Sequence, residues 1–208
     1  SIDKAIRQLY ETGYMHNHLR MYVASIACNI GKADWQLPSQ WMYYHLLDGD
    51  LASNTCSWQW VAGSFSSKKY YCNQENINHY TFTDQQNTFL DRSYQQLTTM
   101  EVPRALEETI SLSLLTTMPR SEKPLSLTSK LPLLIYNSYN LDPHWRRNEK
   151  ANRVLLIEPS HFKKFPVSPK VLQFIIGLSK NIEGIQLFVG EVNEIPGIHQ
   201  LPAIYSKE

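Results

Sequence analysis

Two charged residues sit in short polar motifs beside apolar stretches: Arg20 in His16-Asn17-His18-Leu19-Arg20-Met21 and Asp48 in Leu47-Asp48-Gly49-Asp50. Such residues can meet as a buried ion pair. That pair either bridges two elements or holds charge against a ligand. Asn17 and Met21 are four residues apart and share one face of a helix. Without a ligand they read as a cap and a core methionine. Five tryptophans are present, and a Trp is ordinarily a packing anchor, the reading kept for Trp41 and Trp145. Trp35, Trp58 and Trp60 stand beside the polar motifs, where an indole can also exchange an electron or stack on a flat ring. His16-Asn17-His18 lacks the spacing of a nuclease HNH motif or of a metal site.

Other chemistries are disfavoured. Cys28, Cys56 and Cys72 form no CxxC pair and no zinc pattern with histidine, so a reducing compartment, the cytoplasm, is expected. The formal net charge is +1, so any nucleic-acid surface must be a local patch. No apolar run approaches the roughly 20 residues of a membrane helix, and no membrane partner is expected. Nothing in the pattern sets an oligomeric state. The chain opens on Ser1-Ile2-Asp3 without Met, as an excised fragment would.

Helices must position these residues. Ile2, Ala5, Ile6 and Leu9 recur at helical spacing before Gly13, a helix stop. Asn17 is placed to cap a second helix with Leu19, Val23, Ile26, Ala27 and Ile30 as its stripe, ending at Gly31. Pro38 and Ser39 open a third, over 40–47. Residues 50–54 read as a turn, with a helix from Asn54 or Thr55 through Trp58 to Gly63. Residues 64–78 read as irregular, and 82–97 as helical in its second half. Ser, Thr and Pro dominate 98–130, a linker with one short helix from Arg104 to Leu115. Beyond it, 131–136, 153–158 and 185–190 are strand-length apolar runs, with an amphipathic helix over 168–181 between the last two. That order predicts a parallel βαβ unit. Three strands cannot bury both sheet faces, so this domain reads as cut short. The class is α+β and multi-domain: a helical part over 1–97, the linker 98–130, and an α/β part over 131–208.

Gly13 to Met21, Asp34-Trp35, Leu47 to Asn54 and Trp58-Gln59-Trp60, in this order and spacing, resemble the flavin-binding heart of the DNA photolyase and cryptochrome family. The resemblance covers about residues 1–91. It implies a partial, all-α FAD-binding lobe followed by a partial Rossmann-like α/β unit. Tyr14, Asn17, Arg20, Asp48, Asp50 and Asn54 would hold FAD: Arg20 and Asp48 paired against the ring, Asp50 at its polar edge, Asn54 near N5, Asn17 near the adenine. Trp58, next to the flavin, and Trp35, one step outward, match two members of an electron-transfer chain whose third Trp would lie before Ser1. Met21, Asn17 and Trp60 would meet a flipped-out pyrimidine dimer.

His18 would face DNA phosphate, but it stands where repairing members commonly carry Arg, and Asn73 marks a second such position; Lys68 and Lys69 are the candidates to compensate. Asn73-Gln74-Glu75-Asn76-Ile77-Asn78 is similar to a bacterial branch in which an α/β domain follows the flavin lobe, with room for an antenna chromophore that no residue identifies. The family's phosphate-cradling segment and a carboxylate beside the dimer would precede Ser1, so weak FAD binding by this stretch alone, or none, is expected.

The implied activity is blue-light splitting of cyclobutane pyrimidine dimers in damaged DNA by electron transfer from reduced FAD, a carbon-carbon lyase reaction. Asn17, Met21, Asn54 and Trp60 favour it. A cryptochrome-like photoreceptor without repair activity is the alternative favoured by His18 and Asn73. A helical interaction module that keeps the motifs only as packing is the third reading.

Overall fold

The computed structural model describes residues 1–120 and 124–207, and the chain forms two compact units, Ser1–Leu114 and Leu115–Glu208. The first unit is helical. α1 (Ile2–Thr12) starts at Ser1, whose hydroxyl accepts from the Lys4 N–H, and stops at Gly13 in the left-handed region, φ 74°. Gly13 is required twice over, by that φ and because a Cβ would lie 2.5 Å from Leu47 Cγ; its carbonyl accepts from the Leu47 N–H at 2.9 Å. This close approach ties the end of α1 to the segment carrying Asp48.

α2 (Asn17–Ala24) begins one residue after His16, and no side chain caps it, so Asn17 is its first residue rather than its cap. The expected run to Gly31 is helical but widens into a π turn over Ser25–Ile30. α3 (Gln36–His45) starts four residues before the expected Gln40. Pro38 falls in its first turn, where a missing N–H costs no helical hydrogen bond. α4 (Leu51–Ala62) likewise starts early. The Asp50 carboxylate accepts from the Ser53 N–H at 2.7 Å, so residues 50–54 are a capped first turn rather than a loop.

α5 (Gln74–Thr81) occupies a stretch expected to be irregular. Ile77 is its one buried apolar side chain; side-chain amides hold it. Asn73 caps it through the Asn76 N–H, and Asn78 Oδ1 accepts from Gln74, Thr83 and Gln85. α6 (Tyr94–Thr99) closes the set with a Ser93–Gln96 capping box. Ala5, Leu9, Met15, Met42, Leu46, Trp58 and Val61 form one core, and Tyr22, Ile30, Cys72, Ile77 and Leu97 another.

The stretch 98–130, expected as a linker, is divided between the units. In place of the expected helix from Arg104 to Leu115 there is one 3-10 turn, Arg104–Leu106. Farther on, Leu125 and Leu127 pack on the core of the second unit, and Thr116 exchanges hydrogen bonds with the backbone of Val167.

The second unit holds a parallel sheet of β1 (Leu133–Tyr136), β2 (Asn152–Ile157), β3 (Ile185–Val189) and β4 (Ile204–Ser206), in the order β3-β2-β1-β4. Two helices, α7 (Pro159–Lys164) and α8 (Pro169–Ser179), join β2 to β3. The fourth strand, too short and polar to signal itself, corrects the three-strand reading. Both faces of β1 are buried: Leu133 and Ile135 meet Ile195 and Ile198, while Leu134 and Tyr136 meet Ile182 and Trp145. The chain is therefore mixed, helical first and α/β second.

Candidate functional site

A half-open cleft of about 80 Å³ lies between α2, α3, α4 and the loop joining α3 to α4. That volume is well below the roughly 300–1,000 Å³ typical of small-molecule sites. Its floor is apolar, built from Met42, Leu46, Trp58 and Val61. Its rim is polar: Asn17, Arg20, Asp48, Asp50, Ser53, Asn54 and Ser57.

Arg20 and Asp48 do pair. Arg20 Nη2 donates to both Asp48 oxygens, at 2.9 and 2.8 Å, while Nε donates to the Met15 carbonyl at 2.7 Å. The pair is not buried as expected: the side chains are 22% and 56% exposed. The reason is their place on the rim of an open cleft, where the side chains face solvent. Such an exposed pair contributes little to stability, about 0–1 kcal/mol, so fold stability alone does not account for it. Asp50 serves two purposes, since it caps α4 and borders the cleft. Asn54 Nδ2 donates to the Ser39 carbonyl at 2.9 Å, which fixes the amide's orientation on the rim.

Seven of the residues singled out from the sequence also line the cleft: Asn17, Arg20, Met21, Asp48, Asp50, Asn54 and Trp58. Tyr14, His18, Trp35 and Trp60 do not. Trp58 is 2% exposed, and Trp35 packs half-buried against the same core at the start of α3. Trp60 is 43% exposed and leans on Tyr70, centroids 5.4 Å apart at 32°. Tyr14 lies exposed just past α1. His18 is stacked between His16 and Tyr80, at 5.6 and 4.8 Å.

Ser53, Ser57, Met42 and Leu46 were not foreseen. Asp50, Asn54, Ser57, Trp58 and Val61 follow helical spacing, so a helix starting at Leu51 would have revealed the α4 wall; treating 50–54 as a turn hid it. Among the described residues no group of three or more His, Cys, Asp or Glu could hold a metal ion, and no helix is long and apolar enough to cross a membrane.

The family described as FAD binding domain of DNA photolyase matches residues 1–118. This chain belongs to that family. The match covers the whole helical wall of the cleft, and FAD is the cofactor of the photolyase domain. The chain is similar to the deoxyribodipyrimidine photo-lyase of a Synechococcus species, 49% identical over 63 residues, which is 30% of this chain and 13% of that protein. It is 44% identical over 63 residues to the one from Escherichia coli, with the same coverage, and 48% over 61 residues to that of Neurospora crassa, 29% of this chain and 10% of the relative. The chain thus spans about an eighth or less of the length of the curated relatives it matches. No solved structure matches it.

The residues present fit a flavin. An apolar floor suits the flat ring. A rim carrying a donor cation, a carboxylate and an oriented amide suits its polar edge.

Proposed function

We propose that this chain is part of a light-driven DNA-repair lyase that splits cyclobutane pyrimidine dimers. The observation that carries the reading is the Arg20–Asp48 pair at the rim of an apolar-floored cleft, within a stretch matched by the photolyase FAD-binding domain. Reduced FAD, when bound, supplies the light-driven electron that the reaction requires.

The chain's own residues then have separate tasks. Arg20 and Asp48 hold fixed opposite charges where the polar edge of the ring would rest, Asp48 accepting from it. Asn54, its amide set by Ser39, would serve the N5 side of the ring. Asp50 faces the polar edge, and Asn17 and Tyr14 serve the rest of the cofactor. Trp58, shielded from water in the floor, and Trp35 beyond it on the same core are the electron relay. Met21 and Trp60 meet the lesion, Trp60 by offering an exposed indole face to an unstacked base. In this reading the helical unit is a C-terminal portion of the flavin lobe and the second unit a Rossmann-like domain following it, as in the bacterial branch, with room for an antenna chromophore. Buried Cys28 and Cys72 suit a reducing, cytoplasmic setting.

One observation favours the photoreceptor reading. His18 is held between two rings, and Asn73 is a buried helix cap, so neither position offers a permanent cation to phosphate. The deciding experiment uses the full-length protein with FAD reduced: loss of a thymine dimer from a short oligonucleotide under blue light, against a dark control. Light-dependent loss is expected. Flavin-loaded protein that repairs nothing would turn the assignment to the photoreceptor.

A further inference from the structure

A buried amide clamps the segment behind Trp60. Asn29 lies in the π turn Ser25–Ile30, an insertion that occurs often at functional sites. Its side chain is fully buried. Nδ2 donates to the carbonyls of Val61 and Tyr70, at 2.9 and 2.7 Å. Val61 follows Trp60 on α4, and the Tyr70 N–H returns to the Val61 carbonyl at 3.0 Å. The neighbouring Ser25 hydroxyl accepts from the Cys72 N–H at 3.2 Å. The chain returning from the loop after α4 is therefore pinned to the π turn on both sides of Tyr71.

The price of this clamp is visible: Asn29 Oδ1 has no hydrogen-bond partner. An apolar side chain of similar volume would avoid an orphaned acceptor. Only a two-proton donor can hold two carbonyls from two different elements at once. The consequence is the seat of the Tyr70 ring against Trp60, 5.4 Å between centroids, with Trp60 itself left half-exposed.

We propose that Asn29 is a positioning residue that sets Tyr70 against Trp60, so that the two rings together present the face on which an unstacked pyrimidine rests. The inference rests on the DNA-repair reading of Trp60. Its physical basis is preorganisation: a Trp60 ring already confined by Tyr70 loses less freedom when a base stacks on it.

The test uses full-length protein labelled with 5-fluorotryptophan, with the Trp60 fluorine resonance assigned through Trp60→Phe. Asn29→Ala should move that resonance toward its position in Tyr70→Leu and leave the Trp58 resonance in place. Affinity for a dimer-containing oligonucleotide should fall about five- to tenfold, part of a full stacking contact, with the repair yield per bound dimer unchanged. An unmoved Trp60 resonance, or an equal movement of Trp58, overturns the proposal. Asn29→Ser, which keeps one donor, should lie between wild type and Asn29→Ala. If both variants fail to fold, Asn29 is a stability residue and the proposal is wrong. Fluorine shifts as expected, with no effect of Trp60→Ala on dimer affinity, would leave the positioning role standing and remove the repair reading of Trp60.

Discussion

Arg20 reaches Asp48 through a single guanidinium nitrogen, Nη2, which donates to both carboxylate oxygens, while its Nε is committed to the Met15 carbonyl. The backbone of one segment thereby aims the cation at the carboxylate of another. Asp48→Asn keeps the shape and removes the charge. Because the pair is exposed, unfolding free energy should fall by less than about 1 kcal/mol. With a negative charge removed beside the ring, the midpoint potential of bound flavin should rise. A redox titration of the full-length flavoprotein and a urea melt separate the two effects. A changed melt with an unchanged potential would favour the interaction-module reading.

Asn54 donates to the carbonyl of Ser39, a buried residue. Asn54→Asp removes that donor and sets two oxygens against each other. The expected loss is about 1 kcal/mol, the net worth of the lost hydrogen bond. Urea unfolding with an unchanged slope would attribute the loss to the folded state.

The three thiols should differ sharply. Cys56 is exposed and should react with maleimide in the native protein, whereas Cys28 and Cys72 should react only after denaturation. Burial pushes both buried thiols up to about 11 from 9.0, with Asp34 raising Cys28 further and a Ser25 hydrogen bond partly opposing the shift at Cys72. The folded chain therefore keeps protons that the unfolded chain releases. Stability is full below about pH 9 and is lost as pH rises toward 11, on the order of 2 kcal/mol per thiol. The phenol of Tyr22, raised in the same direction mainly by burial, extends the loss upward. Urea midpoints at pH 7, 9 and 10.5 check this, and a flat profile would contradict it.

Phosphate affinity should respond differently at the two departures from arginine. His18→Arg frees a permanent cation from the ring stack and should steepen the salt dependence of DNA binding by about one phosphate contact, a slope change near 0.9. Asn73→Arg should instead cost about 1 kcal/mol, because Asn73 Oδ1 caps α5 through the Asn76 N–H. Binding titrations across salt, beside thermal melts, distinguish the outcomes.

Much of this protein was readable from residue order. Helical spacing located α1 and its Gly13 stop, apolar runs located β1 to β3, and the polar motifs named the rim of the cleft. Where reading failed, the determinant was a side-chain hydrogen bond that carries no hydrophobic period. Asp50 capping Ser53 made an apparent turn the start of α4 and so concealed Ser53. The amides around Asn78 made a helix of an apparently irregular stretch.

Local preference and short motifs, carried by near neighbours in the chain, decided which residues could serve a flavin and where most elements run. Only tertiary packing decided how they are used. It left the Arg20–Asp48 pair at the solvent-facing rim, closed His18 between two rings, put Trp58 in the core and Trp60 at the surface, and added β4 to the sheet. Each of these depends on contacts between segments distant in sequence, such as Asn29 with Tyr70 or Leu133 with Ile204, which no local pattern encodes.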